Sequence, residues 1–194
     1  MNAATDPHAV LSLDALEATY PQPGRGVQLK VMDHLDAGLA TTLALSPLCF
    51  LATGDAQGQL DCSPRGDAEG CVTLLDPYTL LLADRPGNNR LDSLRNIVQN
   101  PEVGLIFLLP GVDEVIRVNG RAHVTTDPGL MARLVLNGKP PRAVIVVKVR
   151  EAFMHCPRAL KVAGLWDAGR HLSAGQRPDF AAMFVEHVRV NSGG

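Results

Sequence analysis

The sequence predicts an α+β fold: a small antiparallel β-barrel of about six to seven short strands with helices at its periphery. Three observations carry this. Ile116, Val118, Gly120, Ala122 and Val124 alternate with Arg117, Asn119, Arg121, His123 and Thr125, the period of a strand with one wet face. Short apolar runs elsewhere are separated by clusters of Gly, Asp and Pro, as in hairpins. Helical periodicity is confined to the two ends and to two inner segments.

Taken in order, Leu29, Met32, Leu35, Leu39 and Leu43 form a stripe of helical period that Ser46-Pro47 stops. Leu48 to Ala52 and Gln59 to Cys62 flank Gly54-Asp55-Ala56-Gln57-Gly58 and read as a hairpin. A second hairpin joins Val72–Leu75 to Leu80–Ala83 through Asp76-Pro77-Tyr78-Thr79. Val103 to Leu109, closed by Pro110-Gly111, suits a buried strand and is far too short to cross a bilayer. Asp127-Pro128 starts a helix in N-cap and first-turn order, and Asn137-Gly138 is expected to end it. Ala143 to Val149 is apolar on both parities and reads as a central strand. Phe180, Met183, Phe184, His187 and Val188 fit a last amphipathic helix. The 194 residues then divide as one domain, with a helical extension over 1–46, a barrel over 47–154 and a C-terminal segment over 155–194.

Composition narrows the function. A formal charge of −2 argues against a nucleic-acid partner held by phosphate neutralisation, and eight aromatic residues are too few for a base-stacking platform. No membrane span is expected. The N-terminal residues have no basic region ahead of their apolar ones and do not read as a signal peptide, so a cytoplasmic location is the expectation. Cys49, Cys62, Cys71 and Cys156 show no zinc spacing and are expected to be reduced and mostly buried. The charge sum hides a skew of 14 Arg against 4 Lys. Arg presents a planar fork suited to phosphate and carboxylate, although codon composition explains such a skew equally well.

The stretch from Asp84 to Val98 carries the chemistry. Pro86-Gly87 turns the chain after a strand, and Leu91, Leu94 and Val98 fall on one helical face. Asn89 is expected at the N-cap, with Asp92 three residues on in a loose capping box. A helix start offers free N–H groups and a positive dipole end, a cradle for phosphate, and Arg85 and Arg90 flank it. The same residues also fit a capped surface helix with solvated arginines. In Asp61-Cys62-Ser63-Pro64-Arg65-Gly66-Asp67 a strand ends in a hydroxyl, a guanidinium and a flexible Gly, which suits a phosphate or a planar ring but equally an exposed turn.

The runs Leu51-Ala52-Thr53, Ser63-Pro64-Arg65-Gly66-Asp67, Asp84-Arg85-Pro86-Gly87-Asn88-Asn89-Arg90-Leu91, Asn100-Pro101 and Val118-Asn119-Gly120-Arg121-Ala122 together resemble the FMN-binding split-barrel family of pyridoxamine 5′-phosphate oxidase-like proteins, and within it the subgroup carrying Arg-Pro-Gly-Asn-Asn-Arg. The resemblance spans roughly residues 28–166. It implies a homodimer of split barrels with FMN at the subunit interface. Carried onto this chain, it places Ser63, Arg65 and Gly66 beside the flavin and its phosphate. Asp84, Arg85 and Pro86 fall at the isoalloxazine edge, and Asn88, Asn89, Arg90 and Ser93 around the ribityl phosphate. The segment from Phe153 to Trp166 resembles the part of the family that reaches FMN from the partner subunit. There Arg158 stands for the usual Lys, and Val162-Ala163 stand for Arg-Ser. Lys161 is the cation left to replace the lost charge, and Trp166 either covers the flavin or fills the interface.

The resemblance thus implies an FMN-dependent oxidoreductase acting on a small-molecule substrate. The family's substrate-clamping Arg and His have no match in Trp166 to His171, which points away from pyridoxine phosphate oxidation itself. The missing Arg-Ser pair leaves a non-catalytic flavin carrier as an alternative. A deazaflavin-dependent reductase, or a binding module for another phosphorylated ligand, are others. No Gly-rich dinucleotide motif is present, and His155-Cys156, neighbours expected to point to opposite faces of a strand, do not read as a catalytic dyad.

Overall fold

The computed structural model describes residues 6–68 and 70–193. The expected fold class is what it has: a mixed α+β fold with a seven-stranded antiparallel sheet and several helices among the described residues. The strands are β1 (Leu48–Gly54), β2 (Leu60–Gly66), β3 (Thr73–Asp76), β4 (Thr79–Asp84), β5 (Glu102–Leu108), β6 (Val115–Thr125) and β7 (Ala143–His155). They form one sheet in the order β2-β1-β5-β6-β7-β4-β3. The helices are α1 (Leu13–Thr19), α2 (Arg25–Leu29), α3 (Ala37–Ala44), α4 (Asp92–Gln99), α5 (Pro128–Ala132), α6 (Arg158–Ala163) and α7 (Phe180–Asn191).

Alternation builds the core. Cys49 and Leu51 of β1, Val103, Leu105 and Phe107 of β5, and Ile116, Val118 and Ala122 of β6 all point inward, where they meet Leu80, Leu82, Ile145 and Val147. The inward rows thus share one apolar interior, and each removes its side chains from water. β7 is apolar on both parities because it is covered twice. Its Val144 and Val146 face the other way, onto Leu81 and Leu134, with Leu130 and Met131 beside them.

Three expectations need correction. The stripe from Leu29 to Leu43 is not one helix: α2 ends at Leu29 and α3 begins at Ala37. Between them Met32 and Ala152 exchange two backbone hydrogen bonds of 3.0 and 2.8 Å, and Leu35 N–H donates to Pro77 O at 2.8 Å. The backbone there is satisfied by the sheet, and the Asp36 side chain restarts the helix by accepting from Leu39 N–H at 2.8 Å. Next, α5 stops at Ala132, well before Asn137-Gly138. That pair instead turns the chain between Leu136 and Lys139, which hydrogen-bond to each other. The third correction concerns the helix after β4 and is set out with the site. No described helix is long and apolar enough to cross a membrane.

Candidate functional site

The sheet order leaves β2 at one edge, and only edge strands tolerate a Pro such as Pro64, which has no N–H to donate. Asp61, Ser63 and Arg65 lie half-buried on one parity of β2, while Cys62 and Pro64 face outward. The end of β4 comes alongside, and the two meet through Arg85 and Asp67. Arg85 Nε and Nη2 both reach Asp67 Oδ2, at 2.7 and 2.6 Å, and Nη1 donates to Leu134 O at 3.2 Å. The side chains of this pair are 29% and 12% exposed. The Arg65-Gly66-Asp67 tripeptide is therefore part of the packing rather than an exposed turn, and Arg85 is already committed to protein partners.

After β4 the chain turns through Pro86 and Gly87 into α4. The helix begins two residues later than the sequence suggests. Its N-cap is Leu91, in the left-handed region at φ 62°, and Asn89 precedes it, also left-handed at φ 59°. The capping box does not form. Asn88 Oδ1 accepts from Arg90 N–H at 3.1 Å, Asn89 Oδ1 accepts from Arg142 Nη1 at 2.8 Å, and Asp92 Oδ2 accepts from Arg90 Nε at 2.8 Å. The polar side chains are drawn into the loop and onto Arg142, so none is left to cap the helix. The first backbone bond of the helix runs from Arg95 N–H to Leu91 O, at 2.9 Å. Among the described residues no group accepts from the N–H of Asp92, Ser93 or Leu94. α4 itself is fixed by burial of Ile97 and by Asn96 Nδ2 donating to Thr53 Oγ1 at 3.1 Å.

These parts enclose a cavity of about 300 Å³, lined by Asp61, Ser63, Arg65, Asp84, Arg85, Asn88, Asn89, Arg90, Ser93 and Arg142 among others. A second cavity of about 220 Å³ shares Pro64, Arg65, Asp84, Arg85 and Gly87 with the first, and it adds Gly66 and Pro86. Ten of the twelve residues singled out in the sequence thus lie along one groove. Lys161 and Trp166 do not. They line a separate cavity of about 450 Å³ with Asp113 and Arg170, and Trp166 Nε1 donates to Val112 O at 2.9 Å.

Two features of the groove were hidden in the sequence. The first is Asp61, which accepts from Ser93 Oγ through Oδ2 at 2.6 Å. The single hydroxyl proton of the buried Ser93 is therefore spent on a carboxylate, which removes Ser93 Oγ as a donor to phosphate. Strand parity was the available signal, since Asp61, Ser63 and Arg65 stand at i, i+2 and i+4. The second is Arg142, which only the pairing of Asp84 with Ala143 brings near Asn89. With Asp61, Asp84 and Asp92 on its walls and Asp67 behind Arg85, the groove carries as many carboxylates as guanidinium groups. Its capacity to hold an anion lies in unused donors rather than in net charge. One of these is distinctive: Arg65 Nε is fully buried and has no hydrogen-bond partner. A buried donor without an acceptor costs about 1–3 kcal/mol, a cost that a ligand acceptor would remove.

The cysteines divide evenly, against expectation. Cys49 and Cys71 are buried, whereas Cys62 lies on the outward parity of β2 and Cys156 follows the end of β7. A hydrogen bond with Cys71, together with burial, holds the Cys49 thiol far above its ordinary value, so it stays neutral and is no nucleophile. His155 is the last residue of β7 and stacks against Phe153, and Cys156 lies beyond the strand.

The sequence profile of the pyridoxamine 5′-phosphate oxidase family matches residues 35–156. No curated protein sequence matches the chain. Among solved structures, HupZ from Group A Streptococcus superposes with a TM-score of 0.52 at 20% identity, over 62% of this chain and 94% of its own. A candidate pyridoxamine 5′-phosphate oxidase from Lactobacillus delbrueckii gives 0.49 at 25% identity, over 63% and 95%. An FMN-binding protein from Syntrophomonas wolfei gives 0.46 at 15% identity, over 61% and 82%. The likeness to HupZ shows a shared fold.

Proposed function

Because the chain belongs to the pyridoxamine 5′-phosphate oxidase family, we propose that it is an FMN-dependent oxidoreductase acting on an unidentified small molecule. One observation carries the reading. Three uncapped N–H groups at the start of α4 and Arg65, whose buried Nε has no hydrogen-bond partner, belong to the lining of the same groove. A helix N-terminus with open donors suits a phosphate. The residues present fit FMN on that ground.

In this reading the N–H groups of Asp92, Ser93 and Leu94 hold the phosphate, with Arg90 exchanging Asp92 for it. Asn88 and Asn89 keep their side-chain Nδ2 groups free for the same anion, since their Oδ1 atoms are occupied. The left-handed Leu91 fixes this geometry at a cost of about 1–3 kcal/mol in backbone strain, a cost that functional loops commonly carry. Asp61 faces the same space with acceptor oxygens, which suits the hydroxyl groups of a ribityl chain. Bound there, FMN supplies hydride or electron transfer. The chain supplies position and electrostatics.

A homodimer completes the reading. The cavity of about 300 Å³ is at the low end of the roughly 300–1,000 Å³ that ligand pockets span, and a second copy would add the missing wall. Lys161 and Trp166 would then serve the partner's flavin. Sedimentation of the flavin-loaded protein is expected to give a dimer. A monomer that binds FMN tightly rules this out.

The direct test of the cofactor is the absorbance spectrum of freshly purified protein, expected to show flavin bands, with FMN released on denaturation. A colourless protein that ignores added FMN would sink the reading. Arg90→Ala is expected to weaken FMN by about 1.5–3 kcal/mol, the range for a hydrogen bond to a charged group. Fluorescence titration measures it, and unchanged affinity would place the phosphate elsewhere. A non-catalytic flavin carrier is the second reading, favoured by α6, which carries Val162, 71% exposed, where the resemblance calls for Arg. NADH or NADPH oxidation by the loaded protein separates the two.

A further inference from the structure

We propose that Arg65 addresses the ring end of the flavin rather than its phosphate, and so raises the reduction potential of the bound cofactor. The inference rests on the FMN reading above and deepens it.

Strand geometry sets the two ends of the groove apart. Asp61 is tied to the start of α4 through Ser93 at 2.6 Å and so marks the phosphate end. Arg65 lies four residues further along the same face of β2, about 13 Å away at the rise of a strand. Its surroundings differ accordingly. Pro64, Leu82, Ala83 and Pro86 give the cavity on that side a small apolar wall that suits a planar ring, beside the charged Asp67, Asp84 and Arg85. The other guanidinium there, that of Arg85, is spent on Asp67 and on Leu134 O. A phosphate placed at this end would meet one available cation and no open helix N-terminus. At α4 it meets three N–H groups and Arg90.

Arg65 nevertheless needs an acceptor, because its buried Nε has none. The pyrimidine edge of a flavin offers carbonyl oxygens and ring nitrogens. Two-electron reduction leaves negative charge on that edge when one proton enters with the two electrons. A guanidinium fixed beside it, away from bulk water, stabilises the reduced form over the oxidised one.

The test uses full-length Arg65→Gln, which keeps a donor without the charge, and Arg65→Lys, which keeps the charge. Titrations with FMN and with riboflavin, which lacks the phosphate, are compared with the midpoint potential of bound FMN against a reference dye. Arg65→Gln is expected to weaken both flavins by the same factor, about tenfold, so that their ratio stays that of the wild type. The potential is expected to fall, and Arg65→Lys to restore part of it. Arg90→Ala serves as the contrast and is expected to weaken FMN while leaving riboflavin unchanged. Loss of FMN affinity alone in Arg65→Gln would make Arg65 a phosphate ligand and overturn the inference, as would an unchanged potential. Wild-type protein that binds neither flavin removes the FMN reading itself, and this inference with it.

Discussion

Gly120→Ala is expected to lower the unfolding free energy by about 3 kcal/mol or more, at or above the upper end of ordinary overpacking costs. Gly120 lies at a β-bulge. Asn119 pairs with Glu151 and Gly120 with Val149, so Arg150 is the extra residue on β7. A Cβ at position 120 would lie 2.1 Å from Lys148 O and 3.0 Å from Lys148 C. These are backbone atoms of a central strand held on both sides, by β6 and by β4, and they cannot swing aside as a side-chain tip would. Relief requires moving the register of β6 against β7, the most extensive pairing in the sheet. Denaturant unfolding followed by far-UV circular dichroism measures the change. A loss below about 1 kcal/mol would mean that the bulge re-forms one residue away, and then the position of Arg150 would move with it.

The same residue shows how far the sequence could be read. Val118-Asn119-Gly120-Arg121-Ala122 stands out as a motif, and the alternation places Gly120 on the buried parity, yet only the register reveals that a backbone carbonyl occupies the space a side chain would take. Local alternation makes the strands legible because a strand's period is a property of neighbouring residues. The break between α2 and α3 is not legible in this way. Its cause is the bridge between Met32 and Ala152, 120 residues apart in the chain. The groove divides along the same line. Ser63, Arg65, Asn88, Asn89 and Arg90 are visible as short motifs. Arg142, the Ser93–Asp61 bond and the commitment of Arg85 to Asp67 arise from tertiary pairing that no single segment encodes. The late start of α4 has the same origin: Asn89 has the chemistry of an N-cap, but Arg142 takes its oxygen.

Asp67→Ala should have the second large effect, and its reach extends from stability to the groove. The carboxylate is 12% exposed and the Arg85 side chain 29%, so removing Asp67 leaves a mostly buried guanidinium with only Leu134 O for company. Breaking a fully buried ion pair from one side costs about 3–5 kcal/mol; with Arg85 partly in water, about 2–3 kcal/mol is expected here. The cost should come from the unpaired charge more than from a lost attraction. Asp67→Ala combined with Arg85→Ala is therefore expected to be less destabilised than the two single losses summed, and a double-mutant cycle by thermal or chemical unfolding measures that coupling. Strictly additive losses would show that the pair contributes packing alone. The groove gives an independent check. With Asp67 gone, Arg85 is released beside Arg65 and the balance of four guanidinium groups against four carboxylates is broken in favour of cations. The folded variant should then bind inorganic phosphate more tightly than the wild type, and more so at low salt, because an exposed excess charge is screened by ions. Phosphate affinity that stays at the wild-type value would mean that Arg85 keeps its place on Leu134 O without Asp67, and that phosphate binding in the groove is set by the α4 donors and Arg90 alone.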